Sequence, residues 1–440
     1  MRNASLLLLA SLAQACSTTT AGTNADATDV VTVDATPSAD APPADTLAPV
    51  DVPAPLDVAT DVPPGACRWV VGEAVELNVT GDRSSRRILD VKPAEGGAWV
   101  LTSDDAGTSR QPDTTLERLD PTGHRRPSGT VRITGSSPAF ASLAIDEALG
   151  RRAILEEQRA NGSGTCGFVS LDATGTPSTR RAVMFPGGGF SLTGCRDLLA
   201  NRAGFTFLSD QVRALWGVSM VQLDPTGATP TQMAPGLLTI IPEVPYTRFA
   251  FSDRSFMFLW KSSMTAQAAT PRLYAQRFNE DGTERRMPQT VQETAHMTRG
   301  FVATETGDGM LALWEETVDT LPMLYGIAVR SLDANGQARG AVRVLTELGF
   351  YQGGLAVTFA RGDVLATGIT GSGVLRPVVV PLAADGSSRG AILGLPVPQG
   401  AALIADVRIV TTSTGALVVY TTDPMQYPNR LVAVPLTCAR

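Results

Sequence analysis

The sequence predicts an all-β protein, a seven-bladed β-propeller built of four-stranded antiparallel blades. Three observations point to it: a turn that returns about every 53 residues, two apolar runs that each occur seven times, and a last repeat that breaks off where its turn belongs. The turn reads "RLDPTGHRR" from Arg118, "SLDATGTPS" from Ser170 and "QLDPTGATP" from Gln222. An apolar residue with Gly four places later gives Leu119/Gly123, Leu171/Gly175, Leu223/Gly227, Phe278/Gly282, Leu332/Gly336 and Leu382/Gly386, spaced 52, 52, 55, 54 and 50 residues. A period near 50 is the size of a propeller blade and too long for leucine-rich or ankyrin repeats.

Each turn has hairpin chemistry. In Asp120-Pro121-Thr122-Gly123 the Asp accepts backbone hydrogen bonds, Pro presets φ for a type I turn, and Gly supplies the positive φ of a following bulge. The same Asp and Asn residues could be read as calcium loops, but one or two carboxylates per turn fall short of the six or more oxygens calcium takes.

Between turns, the run next to the channel recurs as "RILDVKP", "SLAIDEA", "DLLANRA", "TRFAFSD", "GFVATET", "GLAVTFA" and "DVRIVTT". The second run recurs as "GAWVLTS", "RRAILEE", "GFTFLSD", "SFMFLWK", "GMLALWE", "DVLATGI" and "ALVVYTT". Short, alternating or fully apolar runs argue strands over helices. Seven runs stand against six turns. The seventh unit ends at "LVAVPLTCAR", with Leu436 at the place of Leu382 and Cys438 where the turn belongs, while "CRWVVGEAVELNVTG" at Cys67 is a strand with no turn before it. The expectation is therefore a ring over 67–440 whose last blade is built from both ends, a Cys67–Cys438 disulfide replacing the hairpin. Such a link stabilises by about 6 kcal/mol in the chain-entropy model. Cys166 and Cys195 are expected on two connections that share the opposite face from the Gly turns, in a bond contributing about 3 to 4 kcal/mol.

Residues 1–15 have Arg2, the run "ASLLLLASLA" and Ala13-Gln14-Ala15 before Cys16, an export signal too short to span a bilayer. Small residues before Cys16 resemble the lipobox of bacterial lipoproteins, with Leu12 one place early, which implies lipidation at Cys16. The alternative is cleavage at Ala-x-Ala and release as a secreted or periplasmic protein. Residues 16–66 form a predicted disordered tether, with eight Asp, eight Pro and no Lys, Arg or aromatic residue after Cys16. Its eight negative charges against Arg2 account for the formal net charge of −7, so 67–440 is neutral. That argues against a nucleic-acid or anionic-membrane binder, both of which need a basic surface. Arg supplies all but two of the basic residues, Lys92 and Lys261. With abundant Ala, Gly and Pro, this layout looks like the tethered surface lipoproteins of myxobacteria. Ser17 after the Cys resembles outer-membrane lipoproteins. Four cysteines then remain to pair, as an oxidising compartment allows.

Catalytic motifs are thin. Only His124 and His296 are present, so no multi-His metal site can form, and no Gly-x-Ser-x-Gly elbow, phosphate loop or dinucleotide fingerprint occurs. "FPGGGFSLTG" reads as a loop. WD40 dipeptides are missing, and the Asp-x-x-Thr-Gly signature of quinone-enzyme propellers is half echoed by Asp120 to Gly123. "SDDAGTS" at Ser103 mimics a sialidase Asp-box but stands alone, on the wrong connection.

Overlaying the blades brings Arg87, Ser142, Arg196, Arg248, Arg299, Gln352 and Asp406 to the start of the inner strands, on the face of the long connections. Ser103, Glu157, Asp210, Lys261, Glu315, Gly368 and Thr421 follow on the second strands, with Trp260 and Trp314 beside them. One reading is that acids and arginines neutralise one another around a solvated mouth while the Trp residues pack between blades. The other is a polar central pocket for an anionic or sugar-like ligand, since Arg forks suit carboxylates and phosphates and Trp faces suit sugars or cations. The expected function is a lipid-anchored, non-enzymatic binding or scaffold protein of the cell envelope. It would be a monomer that presents a propeller face to a protein or glycan partner, meets the membrane only through its lipid, and needs no cofactor. The alternatives are an envelope hydrolase or lyase acting on glycans or esters through Glu157, Asp210 and Glu315, or an outer-membrane assembly factor.

Overall fold

The computed structural model describes residues 67–77, 85–105, 113–134, 138, 140–160, 163–184, 194–212, 215–238, 243–262, 272–293, 298–320, 323–345, 354–370, 375–399, 401, 404–422 and 430–439. All belong to the second of the chain's two units, Val58–Arg440. The export signal, Cys16, the tether, Gln352 and His296 lie outside the described residues.

Those residues form seven four-stranded antiparallel blades of a β-propeller. The inner strands are Ser85–Ala94, Phe140–Asp146, Arg196–Asn201, Glu243–Ala250, Thr298–Thr306, Val357–Ala360 and Ile404–Thr411, in blades 1 to 7. Each coincides with one of the seven inner runs. Every inner strand touches the inner strands of both neighbouring blades, and that of blade 7 returns to that of blade 1, so the ring closes. In blades 1 to 6 the strands follow chain order from the centre outwards.

Blade 7 is shared between the two ends. Its outermost positions are taken by Arg68–Val71 and Val75–Glu76, both antiparallel to Arg430–Ala439. Trp69 pairs with Cys438 and Val71 with Leu436, and the Cys67–Cys438 disulfide joins Cα atoms 5.1 Å apart. The leading strand is interrupted at Gly72, whose N–H donates to Pro435 O at 2.8 Å. A Cβ there would lie 2.8 Å from the Pro435 ring, so the chain can pass only as glycine.

Seven hydrophobic clusters hold the ring, one at each junction between adjacent blades. Second strands buried on both faces supply most of this core: Gly415–Thr422 is buried throughout. This explains why those runs read as continuously apolar rather than alternating. The expected disulfide Cys166–Cys195 joins blades 2 and 3 with Cα atoms 6.1 Å apart. One detail differs from the sequence reading: Cys166 lies inside the strand Ser163–Ser170, paired with Glu157, and not on the connection before it.

The repeated turn serves two purposes. All six of its glycines have φ between 71° and 87°. Asp120 Oδ1 accepts from the N–H groups of Thr122 and His124 and from the Thr122 hydroxyl, at 2.7 to 3.0 Å. Asp172 and Asp224 repeat this, and Asp333 does so through two backbone donors. In blades 4 and 6 the acceptor moves to the third position, Asp281 and Asp385. Five of the six turns also pack on the preceding blade. A Cβ on Gly175 would meet Leu116 and Trp99 of blade 1, one on Gly336 would meet Met257 of blade 4, and one on Gly123 would meet Ala433 and Leu417 of blade 7. The turn therefore repeats in part because five of its six copies plug the junction with the preceding blade.

Candidate ligand site in the central channel

The seven inner strands enclose a central cavity of about 1450 Å³. The long connections that would rim one end of it fall outside the described residues. On the other end lie the tight turns.

Inner strands carry bulges at which a residue takes left-handed backbone, and two of these residues, Asp197 and Gly300, line the cavity. Asp197 in blade 3 and Asp406 in blade 7 sit at φ 53° and 48°, and Gly300 occupies the equivalent bulge of blade 5 at φ 52°. Asp is among the few side chains that enter this region at modest cost. Around Asp197 four blades are stitched together. Leu143 N–H donates to Asp90 Oδ2 at 2.8 Å, Asp197 N–H donates to Ser142 Oγ at 3.0 Å, and Arg248 donates to Asp197 O. Lys92 Nζ lies 3.4 Å from Asp90 Oδ1. Burial pushes the Asp197 carboxyl above the usual range, against the pull of Arg248 and Lys92. Burial likewise raises Asp406, opposed by Arg408 and Arg87.

At the turn end of the channel Arg254 of blade 4, at φ 65°, donates from Nε to Asp146 Oδ2 of blade 2 at 3.0 Å. Burial would raise the Asp146 carboxyl, but Arg254 and the backbone N–H of Leu149 outweigh it and hold it below its ordinary value.

The arginines expected to form a ring do not share one level. Arg87 pairs across the ladder with Ser103 and Arg299 with Glu315, whereas Arg196 pairs with Leu208 and Arg248 with Phe258. Those partners lie six, six, four and three residues beyond the aligned starts Gly97, Gly309, Gly204 and Ser255. Differing bulges slide each inner strand against its neighbour, so alignment on apolar residues misplaces its polar ones. Arg87 is exposed and does not line the cavity. Arg248 does, but only 5% of it is accessible: its Nη atoms donate to Thr206 O at 2.9 Å and Thr206 Oγ1 at 3.2 Å, and it lies 5.1 Å over the Phe256 ring. Burial pulls its pKa down to about 10, opposed by Asp197, so it stays charged at neutral pH. Arg196 lines the cavity 4.8 Å over the Phe140 ring. The side chains of Arg299 and Asp210 lie outside the described residues.

Of the remaining candidates, Lys261 and Glu315 line the cavity. Glu157 is buried and does not. Trp260 and Trp314 do not face the cavity: 2% and 0% exposed, they pack between blades 3 and 4 and between blades 4 and 5, which is the first of the two readings above and not the ligand-facing one. Trp260 stacks on Tyr274 at 5.5 Å. What sequence reasoning missed is Asp90, Asp146, Asp197, Arg254 and Arg408, all on the cavity wall. No spacing signal marks them, since their placement comes from bulges and turn geometry. Among the described residues, no three His, Cys, Asp or Glu side chains group as a metal site.

No family model and no curated protein matches the chain. Solved structures match over most of its length. A puromycin-hydrolyzing peptidase of Mycobacterium tuberculosis is 12% identical with a TM-score of 0.50, over 82% of this chain and 54% of that one. A protein of unknown function from Dyadobacter fermentans is 13% identical with a TM-score of 0.49, over 86% of this chain and 100% of that one. The propeller domain of the trilobed protease of Pyrococcus furiosus is 10% identical with a TM-score of 0.48, over 80% and 95%. At these identities the likeness is one of fold. The two disulfides fit an oxidising compartment outside the cytoplasm.

Proposed function

We propose that this chain is a non-enzymatic binding protein of the cell envelope, lipid-anchored through Cys16, whose propeller holds an anionic ligand in its central channel. One observation carries the reading: the cavity wall has six cationic side chains, Lys92, Arg196, Arg248, Arg254, Lys261 and Arg408, against the four acids Asp90, Asp146, Asp197 and Glu315. Among the described residues this is an excess of two, in a domain whose charges sum to zero as a whole. A cavity walled by low-dielectric strands focuses such a field on what enters it.

Titration of the full chain with phosphate esters and carboxylates should give one saturable site, weakened about tenfold or more by Arg408→Gln. Absence of any saturable anion binding would refute it. A second reading, an envelope hydrolase or lyase, is supported by Glu315 and Asp197 on one cavity wall. Turnover of glycan or ester substrates abolished by Glu315→Gln would favour that reading instead.

A further inference from the structure

We infer that the channel takes an amphipathic anion, a carboxylate or phosphate head on an alkyl or aryl body. The inference rests on the anion-binding reading above and adds the ligand's class. Besides its charges, the cavity wall carries six part-exposed apolar side chains, Leu89, Ile145, Leu199, Phe249, Val302 and Val357, one from each of blades 1 to 6. They are spread along the depth of the channel. Leu89 sits in a bulge opposite Leu101 and Thr102, toward the long connections, while Ile145 pairs with Arg152, beside the tight turn.

Charged groups are interleaved with them on the same wall: Asp90 pairs with Leu101, Arg248 with Phe258 and Arg408 with Val419, each inside its second strand, and Arg254 with Asp146 lies at the turn end. A ligand that fills this space must therefore answer both surfaces. A small hydrophilic anion would leave the apolar side chains against water, and burying them is what makes occupancy favourable. A neutral apolar ligand would strip water from the charged groups without replacing its hydrogen bonds. An amphipathic anion does both, its head meeting the cationic excess and its body covering the apolar side chains. The volume of about 1450 Å³ accommodates such a body, being above the usual range of small-molecule pockets.

The test is calorimetric titration of the oxidised full chain with decanoate and decyl phosphate, and with butyrate, inorganic phosphate and decyltrimethylammonium as matched controls. One site per chain is expected. Decanoate or decyl phosphate should bind on the order of 100-fold more tightly than its short counterpart, from the methylenes buried. Decyltrimethylammonium should bind weakly or not at all. Which long-chain anion binds better separates a carboxylate from a phosphate head. Leu89→Ser and Val357→Ser, on separate blades and tested singly, should each weaken the long-chain anion about fivefold while leaving the affinity for its short counterpart unchanged; because both side chains also pack on a junction core, the thermal midpoint should fall as well. If butyrate and phosphate bind as tightly as their long-chain counterparts, anion binding stands and the amphipathic class falls. If no anion binds, both fall. If the decyl cation binds as well as decanoate, or neither serine variant changes affinity, the channel assignment is overturned.

Discussion

The indole Nε1 of Trp69 donates to Oδ2 of Asp363 at 2.8 Å, across 294 residues of sequence. Trp69 belongs to the outermost strand of blade 7 and Asp363 opens the second strand of blade 6, so one hydrogen bond pins the N-terminal strand onto the neighbouring blade. Asp363 is 3% exposed and also faces Arg389 at 3.8 Å. Trp69→Phe keeps most of the packing and removes the donor, leaving a buried carboxylate short of a partner. Denaturant unfolding should show a loss of about 1 to 3 kcal/mol; an unchanged midpoint and slope would mean the bond contributes nothing to closure.

The two disulfides should differ in reactivity. Cys166 and Cys195 are 1% and 0% exposed within the junction of blades 2 and 3, whereas Cys67 and Cys438 are only partly buried at the seam. Exchange requires a thiolate to reach a sulfur. Under mild reduction with differential alkylation, label should enter Cys67 and Cys438 well before Cys166 and Cys195. Simultaneous labelling would indicate that the molecule opens globally before either bond is reduced.

The ring was legible because its signals are local: Gly at positive φ after Asp, apolar runs counted seven times, and cysteines at the two broken half-hairpins. Even the shared blade could be read, since Leu436 stands opposite Ala416 as Leu382 stands opposite Val364. The channel was less legible. Whether Arg196 or Asp197 faces a neighbour depends on a bulge between Arg196 and Leu199, and a one-residue slip reverses the facing of side chains. Trp260 and Trp314 misled for a related reason: standing beside the charged Lys261 and Glu315, they point to the opposite side of the strand.

Turn glycines should be costlier to replace than glycines in open space at similar φ. Gly227, at 71°, packs on the Phe168 ring of blade 2, whereas a Cβ on Gly150, at 63°, would meet nothing within 4 Å. Gly150→Ala should cost about 1 to 2 kcal/mol, the left-handed penalty alone. Gly227→Ala should cost a further 1 to 3 kcal/mol from overpacking. Equal losses in denaturant unfolding would show that the turns do not plug the junctions.

Asp197→Asn should stabilise the protein at neutral pH. The folded carboxyl is raised above 3.8 by burial, so the folded state binds a proton more readily than the unfolded chain, and ionisation works against the fold as pH rises. Asn also tolerates the bulge at φ 53°. The variant's thermal midpoint should exceed the wild type's at pH 7, with the gap closing below about pH 4. A gap that widens on acidification would mean the carboxylate is held charged by Lys92 and Arg248. The turn aspartates act in the opposite sense: Asp172 and Asp385 are lowered chiefly by the hydroxyls of Thr174 and Ser387, so their contribution is present above the ordinary carboxylate range and lost on acidification.

Peptide mapping of the unreduced protein tests the closed ring most directly. A propeller sealed by both ends of 67–440 gives two linked peptide pairs, Cys67 with Cys438 and Cys166 with Cys195. Recovery of Cys67 joined to Cys166 or Cys195, or of Cys438 as a free thiol in the oxidised protein, would contradict the shared seventh blade.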